Sequence, residues 1–167
     1  MGWMSICFFL CARESKNSWQ GKALQKKITL RMKCLILAAG YATRLYPLTK
    51  DFPKPLLEVA GKPILDWLIE DLDKTGLIDE YIVVSNHKFA PIFEAWSQSC
   101  HFERSREISV IDDGTSSNET RLGAVKDIQL GIDYMRSLSL SKGSKGLDTD
   151  LLVMAGDNLL SFSLSGF

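Results

Sequence analysis

The sequence predicts an α/β fold, a three-layer sandwich with a mostly parallel central sheet. Two observations predict it: short, continuous apolar runs bounded by polar loops, and helix-period stretches lying between them. A third, a proline-punctuated loop directly after the first apolar run, indicates where such a sheet would be put to use.

The apolar runs are Cys34–Ala38 (CLILA), Tyr81–Ser85 (YIVVS), Ile108–Ile111 (ISVI) and Leu151–Ala155 (LLVMA), all rich in Val, Ile and Leu. Runs this short and this continuous suit strands buried on both faces. Between the first two, PILDWLIEDLDKTG reads as a helix. Pro63 opens it, Leu65, Leu68, Ile69 and Leu72 form one face, Asp66, Glu70 and Asp73 form the other, and Gly76 suits the stop. A later helix is expected from about Thr120 to Ser137, with Leu122, Val125, Ile128, Ile132 and Met135 on its buried stripe. Strands alternating with helices imply right-handed βαβ crossovers and hence a parallel sheet. Two segments fit this scheme poorly: 97–107 reads as a charged insertion before the third strand, and 137–150 as a flexible loop.

The chain has 167 residues, 46% of them hydrophobic, with 20 basic and 20 acidic side chains, which suits one globular domain. Zero formal net charge gives no global field to attract nucleic acid or a membrane, so a phosphate ligand needs a local site. Cys7, Cys11, Cys34 and Cys100 show no paired spacing; Cys34 lies in a strand as a small core residue, and the reducing cytoplasm is the expected setting. MSICFFLCA (4–12) is apolar but far shorter than the roughly 20 residues of a membrane span, and it lacks the basic start of a secretory signal. Residues 1–31 are expected to be an appended extension outside the core, with the domain starting at Met32 and running through residue 167.

In a parallel sheet, ligands bind beyond the carboxyl ends of the strands. That places the loop after Ala38, the SNHKF segment (85–89) and GDN (156–158) on one rim. Gly40 and the small residues Ala39 and Ala42 let main-chain N–H groups approach phosphate oxygens. Arg44 adds a planar charged fork. Pro47, Pro53 and Pro55 restrict the loop, and Lys54 delivers a point charge from that stiff support. Taken singly, a Gly near a strand end is an ordinary turn and a lone Arg or Lys an ordinary surface charge. In this order, after a buried strand, they describe a polyphosphate loop. It contains neither G-x-x-x-x-G-K-[ST] nor a G-x-G-x-x-G with an acidic residue about 20 residues on, which counts against the two commonest phosphate loops.

The stretch LAAGYATRLYPLTKDFPKPLLEVAGKPIL (37–65) resembles the signature of the sugar-phosphate nucleotidyltransferases: L-A-x-G-x-G-T-R-L-x-P-x-T, then P-K-P-L, then K-P-[IM]. Ala42 stands where many members carry Gly, which reads as a mild departure. The resemblance implies a Rossmann-like fold and an enzyme that joins a nucleoside triphosphate to a sugar 1-phosphate, or in some branches phosphocholine, releasing pyrophosphate. Carried over by position, it makes Ala39, Gly40, Tyr41, Ala42 and Thr43 the nucleotide loop. Arg44 becomes the clamp on the pyrophosphate leaving group and Lys54 the neutraliser of charge near the α-phosphate. MAGDN resembles the family's G-D motif, in which the Asp, here Asp157, binds catalytic Mg²⁺; a carboxylate just past a buried strand suits a hard cation bridging phosphates, although GDN alone is also an ordinary turn. NETRLGAVKDI (118–128) resembles the base-recognition segment, which assigns Asn118 and Gly123 to the base edge; Asn118 read by itself is equally a helix cap. His87 lies on the rim without an assigned role.

The resemblance covers roughly Met32 to Asn158, the nucleotide half only. The chain ends ten residues after Asp157, so the fold is expected to be truncated, lacking a second metal carboxylate and the acceptor pocket and inactive in transfer. A nucleotide-binding fragment or regulatory module without turnover is the alternative. The base and the acceptor stay open.

Overall fold

The computed structural model describes residues 32–100, 107–141 and 150–158. The expected extension 1–31 and the segments 101–106 and 142–149 lie outside them, as do Cys7 and Cys11.

Strand β1 (Met32–Leu37) is followed by a long loop and a two-stranded antiparallel hairpin, β2 (Glu58–Val59) and β3 (Lys62–Pro63). Then come α1 (Ile64–Thr75), β4 (Ile78–Ser85), α2 (Ala90–Cys100), β5 (Glu107–Asp112), α3 (Ala124–Ser141) and β6 (Asp150–Ala155). The four longer strands form one sheet in the order β5-β4-β1-β6, every neighbouring pair parallel. Alternation along β1 divides the core between two faces. Cys34, Ile36 and Ala38 join Leu65, Leu68, Ile69 and Leu72 of α1 and Phe93 and Trp96 of α2 in one cluster. Leu35 and Leu37 join Met135, Ile128 and Ile132 of α3 in the other. The result is the three-layer arrangement that the apolar runs predict.

Helix α1 has the predicted ends and buried face: Pro63 stands at its N-cap, and Gly76 takes the left-handed conformation at φ 69° that ends a helix without a Cβ clash. Helix α3 departs from expectation. It begins at Ala124 rather than Thr120, because Gly123, at φ 84°, turns the chain and its carbonyl accepts the N–H groups of Lys126 and Asp127 (3.0 and 3.1 Å). Val125 is 82% exposed, so the buried stripe starts at Ile128 and continues through Gly131 and Met135. The helix also extends to Ser141, so residues 137–141 are helical rather than loop. Gly131 makes the close approach of α3 to β1 possible: a Cβ there would fall 2.5 Å from Leu35 Cδ1.

The expected insertion at 97–107 is corrected likewise: its first four residues complete α2. This helix opens from a buried Asn86, whose Oδ1 accepts the Phe89 N–H (3.0 Å) and whose carbonyl accepts that of Ala90 (2.9 Å). Pro91 is tolerated in the first turn, where no intrahelical N–H is needed.

Candidate nucleotide-binding site

The chain lays β4 and then β5 to one side of β1 before returning to place β6 on the other. Loops leaving β1 and β6 therefore diverge, and a crevice opens between them at the carboxyl ends of the strands. A cavity of about 560 Å³ occupies that crevice, and Arg44, Lys54, Asn118, Arg121 and Asp157 line it.

The loop after β1 is held from several sides. Ala38 N–H donates to the Val84 carbonyl (2.8 Å), and Asn86 Nδ2 donates to the Ala39 carbonyl (3.1 Å). The Tyr41 ring is buried beside Phe89, and its hydroxyl donates to the Thr115 carbonyl (2.9 Å), so its side chain anchors the loop at the cavity wall. Buried Thr49 donates to the Ala42 carbonyl (2.8 Å). Ala42 is not the mild replacement for Gly that the motif comparison implies: it adopts φ 46°, ψ 41°, a left-handed conformation that burdens any residue with a Cβ. The short 3₁₀ turn Thr43–Leu45 that follows holds Arg44 exposed at the cavity wall. A second 3₁₀ turn, Lys54–Leu56, seats Pro55 and Leu56 in the core and leaves Lys54 half-buried, facing the crevice.

Lys54 Nζ lies 2.7 Å from Asp157 Oδ2. These two residues, 103 positions apart, form an ion pair across the crevice. Asp157 owes its place to Gly156, whose N–H donates to the Leu37 carbonyl (3.0 Å) and where a Cβ would meet Ile36 Cγ2 at 3.1 Å.

An adjoining cavity of about 410 Å³ shares Leu37, Gly40 and Arg121 with the first and is otherwise lined by Ala39, Gly123, Ala124, Asp113 and Asp127. Gly40, Tyr41, Ala42, Thr43, Arg44, Lys54, Asn118 and Asp157 thus line the first cavity, and Ala39 and Gly123 the second. Asn118 is not the cap of α3, which starts six residues later; its Oδ1 accepts from Arg121 (3.4 Å).

Sequence reasoning missed Arg121, Thr49 and Asp127. The signal for Asp127 was a carboxylate beside the buried stripe of α3. It is 6% exposed, and burial, aided by the negative charge of Asp113, pushes its pKa up to about 6. On the rim, exposed His87 pairs through Nδ1 with Asp112 Oδ2 (2.6 Å), and this hydrogen bond raises the His87 pKa. Cys34 is fully buried, and desolvation pushes its thiol pKa far up, as expected of an inert core cysteine.

The Nucleotidyl transferase family pattern matches residues 33–166. This chain belongs to the nucleotidyl transferase family. Mannose-1-phosphate guanylyltransferase 1 of Arabidopsis thaliana is 38% identical to it over 105 residues, covering 62% of this chain and 27% of the relative. A Bacillus anthracis structure assigned as a glucose-1-phosphate thymidylyltransferase superposes with a TM-score of 0.62 at 20% identity, over 81% of this chain and 48% of its own. The CTP:phosphocholine cytidylyltransferase of Streptococcus pneumoniae does so with a TM-score of 0.56 at 23% identity, over 80% and 48%. The nucleotidyl transferase chain spans less than half the length of each of these proteins. No helix among its described residues is long and apolar enough to cross a membrane.

Proposed function

We propose that this chain binds the triphosphate of a nucleotide in the crevice between β1 and β6, as the nucleotide half of an enzyme transferring a nucleotidyl group to a sugar 1-phosphate or phosphocholine-type acceptor. One observation carries the proposal: Arg44, Lys54 and Asp157, from three separate segments, converge on one cavity at the point where the strand order reverses. A phosphate oxygen of the acceptor attacks the α-phosphorus, and pyrophosphate leaves. Main-chain N–H groups of residues 40–43 cradle the phosphates, Arg44 holds the departing pyrophosphate, and Lys54 offsets charge at the α-phosphate. Such chemistry rests on positioning and electrostatics rather than on a covalent nucleophile. Asp157 fits Mg²⁺: its carboxylate is 41% exposed at the cavity, and this ion takes one or two carboxylates together with substrate phosphates. When bound, the ion would neutralise phosphate charge, and Asp157 would exchange its Lys54 partner for it. The cytoplasm, where nucleoside triphosphates are available, is the compartment this reading requires.

A second reading, nucleotide binding without turnover, is favoured by the Lys54–Asp157 ion pair (2.7 Å), which engages the carboxylate that a metal would need. Measured pyrophosphate release, with each nucleoside triphosphate against sugar 1-phosphates and phosphocholine, separates the two. We expect binding with little turnover from these 167 residues; robust release that is abolished by Asp157→Asn would establish transfer instead. Absence of triphosphate binding would refute both.

A further inference from the structure

Two non-glycine residues among those described have a positive φ, Ala42 (46°) and Ala60 (53°). Ala60 has a local reason for it. With Gly61 it forms the two-residue turn of the β2–β3 hairpin, and turns of the hand that suits a hairpin require positive φ. No hairpin surrounds Ala42. An alanine prefers the right-handed or extended regions, because a left-handed backbone brings its Cβ against a carbonyl oxygen. Something outside the residue must hold it, and the loop that follows contains one feature able to do so. Every residue from Thr43 to Lys50 is exposed except Thr49, which is 1% exposed. A buried hydroxyl needs a partner, and this one donates to the Ala42 carbonyl (2.8 Å). The same carbonyl accepts the Leu45 N–H (2.9 Å). On the other side, the buried ring of Tyr41 and its bond to the Thr115 carbonyl fix the preceding residue.

The peptide between Ala42 and Thr43 is planar and trans, so its N–H points opposite to its carbonyl. Holding the carbonyl on buried Thr49 therefore fixes the direction of the Thr43 N–H as well. Ala42 and Thr43 both line the first cavity, whereas Thr49 is off its wall. Resting on the nucleotide reading above, we propose that Thr49 is a positioning residue for triphosphate binding. Its hydroxyl keeps Ala42 left-handed and so presets the Thr43 N–H for a phosphate oxygen. Without that bond, the strain at Ala42 drives the loop toward its ordinary conformations, and only the fraction of chains still left-handed binds. A glycine at this position would carry no such strain and need no such hold. The tether therefore matters to this chain because its loop carries an alanine.

The test is calorimetric titration of the full chain with Mg²⁺ and whichever of GTP, ATP, UTP, CTP or dTTP binds the wild type tightest. Thr49→Val, shown to be folded by its thermal melt, keeps the side-chain shape without the hydroxyl and should weaken binding about tenfold. Thr49→Ser, which keeps the hydroxyl, should bind within about threefold of wild type. The deciding arm adds Thr49→Val to Ala42→Gly. There the further loss should shrink to about threefold or less, because glycine enters the left-handed region freely. An equal loss in both backgrounds is what a packing role gives, and it overturns the proposal. Wild-type affinity in Thr49→Val, or a loss in Thr49→Ser as large as in Thr49→Val, overturns it too. Should Thr49→Val not fold, Thr49→Ala takes its place against Thr49→Ser, the hydroxyl then being the single difference between them. All of these results leave the nucleotide reading intact. Folded wild-type chain that binds no triphosphate refutes that reading, and the proposal with it.

Discussion

At the scale of single residues, the site depends on charges whose present partners differ. Lys54 is engaged with Asp157, whereas Arg44 has no ion-pair partner among the described residues. Arg44→Ala should weaken triphosphate binding by roughly 10- to 100-fold, since charge-assisted bonds contribute about 1.5–3 kcal/mol each. Lys54→Ala should cost less when the metal is omitted, because the wild-type side chain must first leave Asp157. Titration with and without Mg²⁺ checks both. Ala42 is a backbone matter: Ala42→Gly removes a left-handed cost of about 1–2 kcal/mol, partly offset by the freer unfolded chain, so Tm should rise by about 2 °C. Asp127 makes stability depend on pH. Its folded pKa of about 6 lies above the ordinary 3.8, so the native state holds the proton more tightly. Stability from this group is therefore greatest in acid and declines as pH rises from about 4 to about 6, by no more than about 3 kcal/mol. The negative charge of Asp113, on the same cavity wall, adds to that shift. Urea melts of wild type and Asp127→Asn across pH 4–8 should show the variant gaining relative stability as pH rises.

At the scale of elements, the strands and α1 are legible locally, and α2 and the ends of α3 are not. The four buried strands announce themselves as uninterrupted apolar runs, and α1 carries its own start, stripe and stop in Pro63, its leucines and Gly76. Helix α2 is missing from the sequence expectations, because its buried side is made by Phe93, Trp96 and Ser97 amid polar residues, and its cap, Asn86, lies in the preceding turn. The start of α3 was misplaced because the periodic apolar pattern runs on through Leu122 and Val125, while the positive φ of Gly123 decides where the helix begins. The loop that lines the first cavity is legible because its residues are contiguous. The Lys54–Asp157 pair and the orphaned oxygen of Asp127 were not, since both arise from packing between distant segments. Gly131 tests how tightly α3 is seated. Gly131→Val would drive side-chain carbons into Leu35 and should destabilise the fold by about 1–3 kcal/mol in urea melts. Gly131→Ala should cost less, because alanine's helix preference of about 1 kcal/mol offsets part of the clash.

At the scale of the whole molecule, the sheet is unevenly secured. Cys34, Leu35 and Ile36 of β1 and Tyr81 to Ser85 of β4 are buried, whereas five of the six residues of β6, all but Met154, are only half-buried at the edge. Hydrogen exchange should accordingly be slowest in β1 and β4 and faster in β6. Mg²⁺ with nucleoside triphosphate should slow β6 selectively, because Asp157 hangs from its end. Unchanged exchange in β6 on adding ligand would place the metal elsewhere. The long reach from β1 to β6 also bears on how the molecule comes into being. Met32 pairs with Asp150, so β6 closes a longer loop than any other strand pair of the described sheet. Contacts of such sequence separation form late, because loop closure must come before they are rewarded. Arg44 and its loop can therefore be native-like in a species that still lacks Asp157. The complete charge constellation is the signature of the last folding step, and nucleotide with Mg²⁺, by binding only chains that have taken that step, would act as a proofreader of the finished sheet.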